Sequence, residues 1–280
     1  MSSLELWPIG NCQVSGLIDT EARLVWGCAP RVDGDPVFCA LLNNDDGGPV
    51  PGAWMVSLEG QVSARQAYRR NTPILVTRLE DAEGGAVDVI DFCPRFERTG
   101  RMYRPVAWVR IVQPVSGSPR LRVHLAPMRG YGREVAPRTN GTNHIRFLLG
   151  DQTLRLTTDA PVGHVIDSRP FRLERPAHFF LGPDEPFAGN VSREVATMLE
   201  RTESYWQHWV RGLATPLEWQ DQVIRAAITL KLCQHEETGA IVAALTTSIP
   251  EAANSGRNWD YRYCWIRDAY YTVQALNRLG

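Results

Sequence analysis

The stretch GPDEPFAGNVSREVATMLERTESYWQHWV (182–210) is where the chain changes period, and that change decides the fold. Beyond it, apolar residues fall at Val195, Met198, Leu199, Tyr205, Trp206, Trp209, Val210 and Leu213. Steps of three and four make one broad stripe on a helix, with Ser192 as its expected N-cap and Glu194 in its first turn. Pro216 interrupts the pattern. A second helix is expected in EWQDQVIRAAITLKLCQH (218–235), where Trp219, Val223, Ala226, Ala227 and Leu230 form one stripe and Ile224, Ile228 and Leu232 another. A helix apolar on two faces needs cover on both. Gly239 is its expected C-terminal cap.

Upstream of residue 190 the period is two. In RLRVHLA (120–126), Leu121, Val123 and Leu125 alternate with Arg120, Arg122 and His124, as a half-buried antiparallel strand requires. VAWVRIV (106–112) is its expected hairpin partner across QPVSGSP. PILVTRLE with AVDVIDF, and HIRFLLG with TLRLTT, read as further hairpins. GNCQVSGLID reads as a strand with its turns at Gly10 and Gly16, pairing with ARLVWGCA. Strands at this spacing, punctuated by Gly and Pro, argue for a large antiparallel sandwich over 1–190.

Composition narrows the classes of function. Among 280 residues, 44% are hydrophobic and 22% charged, ordinary for a globular protein. A formal net charge of −1, with scattered arginines and Lys231 as the only lysine, gives no electrostatic reason to expect nucleic acid or an anionic membrane. No signal peptide and no membrane span are evident, so a cytoplasmic protein is expected. The six cysteines lack a CxxC and the six histidines an HxxxH, so neither a metal site nor a cofactor is implied. Asp33 and Asp35 around Gly34 form a turn rather than a calcium loop.

The chemistry concentrates in NWDYRYCWIRDAYYTVQALNRLG (258–280). Alternation in an extended segment places Trp259, Tyr261, Tyr263 and Trp265 on one side. Arg267 and Asp268 then open a third helix, with Trp265, Ala269, Thr272, Val273, Leu276 and Leu279 at helical spacing. Aromatic rings suit the C–H faces of a sugar, and Asp and Arg suit its vicinal hydroxyls. A packed aromatic loop with Asp268 as a mere helix cap would use the same residues.

TGAIVAALTTSIPE (238–251) with NWDYRYCWIRDAYYTVQAL resembles the start of the catalytic domain of glycoside hydrolase family 15, the glucoamylase and bacterial trehalase-like family. IGNCQVSGLIDTEARLVWGCAPRVDGDPVFCALL (9–42) is similar to the β-sandwich that precedes it in bacterial members. The resemblance implies a sandwich (1–190), a linker helix (191–216) and the first helices of an (α/α)6 barrel (217–280), cut short. It implies that Arg267 and Asp268 bind glucose hydroxyls, that Tyr261 packs on the ring and that Trp265 lines the pocket. Asp260 and Trp259 match the motif with less defined roles, and Arg262, Tyr263 and Cys264 are expected to pack behind it.

The implied reaction is inverting hydrolysis of an α-glucoside: a malto- or isomalto-oligosaccharide, or trehalose. Its general-acid and general-base glutamates are expected beyond residue 280, so no catalytic residue is assigned here and the piece alone is expected to be inactive. Glu236, Glu237 and Glu251 read as solvated helix-end and loop residues, and no direct sugar contact is expected from Arg31 or Asp33. The competing class is a non-catalytic sandwich, for carbohydrate binding or interaction, with a helical extension.

Overall fold

The computed structural model of the chain describes residues 4–42, 50–247 and 256–280. Two antiparallel sheets face each other. The first runs in the order Leu6–Gly10, Ser15–Asp19, Leu24–Ala29, Trp54–Leu58, Arg120–Leu125, Phe171–Arg172, with Asp35–Phe38 paired to Leu24–Ala29. The second runs in the order Arg138–Asn140, His144–Leu148, Thr153–Thr158, Ala177–Pro183, Trp108–Ser116, Ala86–Phe92, Leu75–Asp81, Gln61–Tyr68. Between them lies the main core, with Trp54, Val56, Leu121 and Val123 from one sheet and Leu79, Val87, Trp108 and Phe179 from the other.

Four helices complete the described chain: α1 (Val162–Ile166), α2 (Val191–Arg211), α3 (Gln220–Leu232) and α4 (Ile266–Asn277). None of them is long and apolar enough to cross a membrane. The strand Trp108–Ser116 explains where α2 sits. Trp108 and Val112 face the other sheet, while Val109 and Ile111 point outward with Ile90, Phe92 and Phe180. That outer face needs cover, and Val195 and Met198 of α2 provide it. Further along α2, Trp206 and Val210 pack with Ile228 and Leu232 of α3 around Cys12.

The hairpins Leu75–Asp81 with Ala86–Phe92, and His144–Leu148 with Thr153–Thr158, form as the alternation predicts. Ser15–Asp19 also pairs with Leu24–Ala29 as expected, although Gly16 lies within the strand rather than at a turn. The expected pairing of 106–112 with 120–126 does not form. Trp108–Ser116 pairs with Ala86–Phe92 and Ala177–Pro183, while Arg120–Leu125 pairs with Trp54–Leu58 in the opposite sheet. The segment between them therefore crosses from one sheet to the other.

Two caps also differ from expectation. Asn190, not Ser192, caps α2: its Oδ1 accepts from Ser192 N at 2.9 Å and Arg193 N at 3.3 Å. Asn190 is extended and so lies outside the helix, whereas Ser192 is already in the first turn. The α3 helix stops at Leu232, and Gly239 (φ +72°) instead turns a short hairpin between Gln234–His235 and Ala240–Ile241. Of α3, Ala227, Ile228 and Leu232 are buried while Trp219, its N-cap, is 72% exposed, and no residue of α4 is buried, Ile266 being 88% exposed.

One fully buried ion pair lies within the sandwich interior. Arg110 and Asp91, each side chain 1% exposed, meet at 2.6 Å. Arg110 also donates to the carbonyls of Trp54 (2.6 Å) and Ala22, reaching the other sheet. Asp91→Ala leaves this guanidinium charged, buried and short of acceptors. Loss of about 3–5 kcal/mol of stability is expected, read by urea denaturation. The paired Asp91→Leu/Arg110→Met change should cost less than Asp91→Ala alone.

Candidate functional site

The aromatic–Arg–Asp segment folds as a turn followed by a helix. Asp260 starts the turn: its Oδ1 accepts from Arg262 N at 3.0 Å, an Asx-turn that draws the backbone back on itself. Residues 261–263 are therefore not extended, and the expected one-sided row of four rings breaks up. Tyr261 and Trp265 lie 5.3 Å apart at 37°, and Trp259 meets Trp265 edge-on at 6.5 Å. Tyr263, 55% exposed, turns away from this trio. It lies with Arg31, Asp33, His235 and Thr238 around a cavity of about 190 Å³.

Trp265 precedes α4 in an extended conformation, and its Nε1 donates to the Asp260 carbonyl at 3.1 Å. Arg267 and Asp268 occupy the first turn beyond it. Arg267 is largely exposed, and its Nη2 lies 3.1 Å from Asp268 Oδ2. That approach lacks hydrogen-bond geometry, and the buried Asp268 Oδ2 has no hydrogen-bond partner among the described residues. Within one turn of Trp265, α4 thus presents an exposed guanidinium and a carboxylate whose buried Oδ2 faces that guanidinium.

Asp260 differs, since Arg262 engages both its oxygens: Nη2 to Oδ2 at 2.8 Å, and Nε to Oδ1 and Oδ2 at 3.1 and 3.2 Å. Arg262 is 4% exposed. It reaches back to the sandwich, donating to the Gly34 carbonyl at 2.7 Å and to Cys28 Sγ at 3.4 Å, with its guanidinium 6.0 Å over the Trp26 ring. Burial raises the Cys28 thiol to about 11, so the atom facing Arg262 is a neutral thiol. Parallel ties hold the same segment: Trp26 Nε1 donates to the Leu245 carbonyl, and the amides of Ala243 and Ala244 donate to the carbonyls of Tyr263 and Tyr261.

The other carboxylates are also placed. Glu236 is not a solvated helix end. It lies beyond α3, paired with Arg95 and 3.7 Å from Arg104. Glu237 is exposed, and Glu251 lies outside the described residues. Asp33 holds Arg31 through two 3.0 Å bonds. Asp35 accepts from the amides of Gly130 and Tyr131. Among the described residues, no group of three or more His, Cys, Asp or Glu could hold a metal ion.

The reach of Arg262 into the sandwich is the feature that the sequence pattern leaves hidden. Its one signal is an arginine between two tyrosines, at a position where alternation would aim it away from the rings. Burial works against the Asp260 charge, but the Arg262 hydrogen bonds outweigh it and hold the carboxyl below its ordinary range. A depressed folded value means the pair's stabilisation is complete above about pH 4 and is lost as pH falls through that value. The stability gap between the parent chain and Asp260→Asn, measured by urea unfolding, should therefore hold above about pH 4 and narrow as pH falls below it.

Comparison with known proteins reaches both regions. The family model described as "Trehalase-like, N-terminal" matches residues 5–162, and that of "Glycosyl hydrolases family 15" matches residues 219–280. The chain is 30% identical to a trehalase of Mycolicibacterium smegmatis over 97% of its own length and 44% of that protein. It is 28% identical to a trehalase of Thermoplasma volcanium over the same shares, and 29% identical to one of Mycobacterium tuberculosis over 97% and 43%. The chain thus spans less than half the length of these relatives. No solved structure matches it significantly. With one model over more than half the chain and the other over the segment that carries the rings, Arg267 and Asp268, the chain belongs to the trehalase-like proteins of glycoside hydrolase family 15.

Proposed function

We propose that this chain is the amino-terminal part of an enzyme that hydrolyses trehalose, and that residues 259–268 form one wall of the pocket for a glucosyl unit. The observation that carries the reading is the ring trio Trp259, Tyr261 and Trp265, followed within one turn by Asp268, whose buried Oδ2 has no hydrogen-bond partner among the described residues. A sugar ring offers apolar C–H faces to such rings and hydroxyl donors to such a carboxylate. Arg267 donates to sugar oxygens beside it. Asp260, with both oxygens on Arg262, contributes by holding the turn. Trehalose is preferred over malto- and isomalto-oligosaccharides because the relatives are named as trehalases.

The reaction follows the inverting scheme. A carboxylic acid protonates the leaving glycosidic oxygen while a carboxylate about 6.5–9.5 Å away activates water on the opposite face. We place both glutamates beyond residue 280, in the region that the longer relatives possess. The residues of this chain then act by binding: they fix the glucosyl unit so that its anomeric carbon faces the acid and the water. In this reading 1–190 is the sandwich domain, 191–216 the linker helix, and α3 and α4 open an (α/α)6 barrel whose further helices cover their exposed faces. A cytoplasmic site fits the six unpaired cysteines.

The test uses the enzyme produced with the region after residue 280. A hydrogen bond to a charged group contributes about 1.5–3 kcal/mol, so Asp268→Ala should lower kcat/KM for trehalose at least about tenfold. A loss of no more than a few-fold would overturn the binding role. Residues 1–280 alone should release no glucose from trehalose, and measurable turnover by that piece would refute the placement of the glutamates.

A further inference from the structure

We infer that Arg262 is the positioning residue of this wall, and that it transmits the geometry of the sandwich turn at Gly34 to Trp265 through Asp260. The inference rests on the sugar-wall reading above and adds to it a dependence on the sandwich. The path is short and continuous. The Gly34 carbonyl accepts from Arg262 Nη1 at 2.7 Å, Arg262 holds both oxygens of Asp260, and the Asp260 carbonyl accepts from Trp265 Nε1 at 3.1 Å. Among the described residues the Arg262 side chain hydrogen-bonds Asp260, Gly34 and Cys28, and of these Asp260 is the one that reaches a ring of the trio.

Three features make this an orienting device rather than general packing. A guanidinium is a planar fork, so holding a carboxylate and a carbonyl together fixes the direction of both partners. The sandwich end of the path is a tight turn, with Gly34 N donating to the Arg31 carbonyl at 3.0 Å, and a Cβ on Gly34 would lie 2.4 Å from the Ala29 carbonyl oxygen, leaving glycine as the residue that fits. The wall's other ties, from the amides of Ala243 and Ala244 to the carbonyls of Tyr263 and Tyr261, hold backbone and leave the Trp265 indole N–H to Asp260. None of α4 is buried, so Trp265 takes its fixed point from the Asp260 side.

Packing loss and mispositioning differ in kinetics. A variant that merely unfolds part of the population lowers apparent kcat and leaves KM alone, whereas a misdirected binding wall weakens the hold on substrate and raises KM. In the enzyme containing the region after residue 280, Arg262→Lys keeps the charge but lacks the fork. Its KM for trehalose should rise at least fivefold with kcat within about twofold. Gly34→Ala, in the sandwich, should raise KM in the same way. The two changes together should raise it by less than the product of the separate factors, since they interrupt one path.

Asp260→Asn, equal in size and able to keep the Asx-turn, is the third arm; it replaces either variant that fails to fold and should also raise KM. KM within twofold of the parent for the folded variants, or a fall in kcat at unchanged KM, overturns the inference. Asp268→Ala separates the two levels. If it cripples hydrolysis while the positioning variants are silent, only this inference fails. If it too is silent, the sugar-wall reading fails with it.

Discussion

A guanidinium leaves water only where its N–H groups find acceptors, and Arg110 meets that condition in the middle of the sandwich. Asp91 takes two of its hydrogen bonds from the same sheet, and the carbonyls of Trp54 and Ala22 take two more from the other side. Apolar side chains would hold the sheets together without choosing how far one slides over the other, because burial has no direction. The Arg110 fork has direction and reach. It ties one position of the strand Trp108–Ser116 to one position of Trp54–Leu58, and around that point Phe38, Trp54, Trp108 and Phe179 pack edge to face or offset.

The same solution recurs where the sandwich meets the following segments. Arg95, 3% exposed, donates to the Asn11 carbonyl, pairs with Glu236 beyond α3 and lies 4.7 Å over the Tyr205 ring of α2. It is less well satisfied than Arg110, since its Nε has no hydrogen-bond partner among the described residues. Arg262 repeats the pattern at the aromatic turn with a carboxylate, a carbonyl and a thiol. Three buried arginines thus join sheet to sheet, sandwich to helices, and sandwich to aromatic turn. In each case a carbonyl far away in sequence accepts, so each staple forms only after both parts have folded.

That dependence explains what could be read from the residues and what could not. Hairpins with short turns, such as Leu75–Asp81 with Ala86–Phe92, are local, and their alternation suffices. Trp108–Ser116 and Arg120–Leu125 show equally good alternation, yet they part into different sheets. Their partners are chosen by which apolar face must be covered twice: Val109 and Ile111 need α2, and no pattern within 106–126 announces it. At the site, the ring-rich segment with Arg267 and Asp268 is evident as a candidate, but its shape is not. The Asx-turn at Asp260 overrides the alternation, and the Gly34 carbonyl that fixes Arg262 is 228 residues away.

The order of these anchors bears on how the proposed sugar wall can be precise on a helix that is itself hardly packed. Residues 260–265 are tied on the sandwich side through Asp260, Arg262 and the backbone bonds to Ala243 and Ala244, while α4 beyond them buries none of its residues. Arg267 and Asp268 lie one turn past the last anchored residue. The direction of α4 at that point is set by the conformation of Trp265, which Asp260 holds by the indole N–H. Packing of the exposed face of α4 would steady the far end of the helix without choosing the aim of its first turn. A β-sandwich that need not touch substrate would in this way govern where the two polar residues meet it.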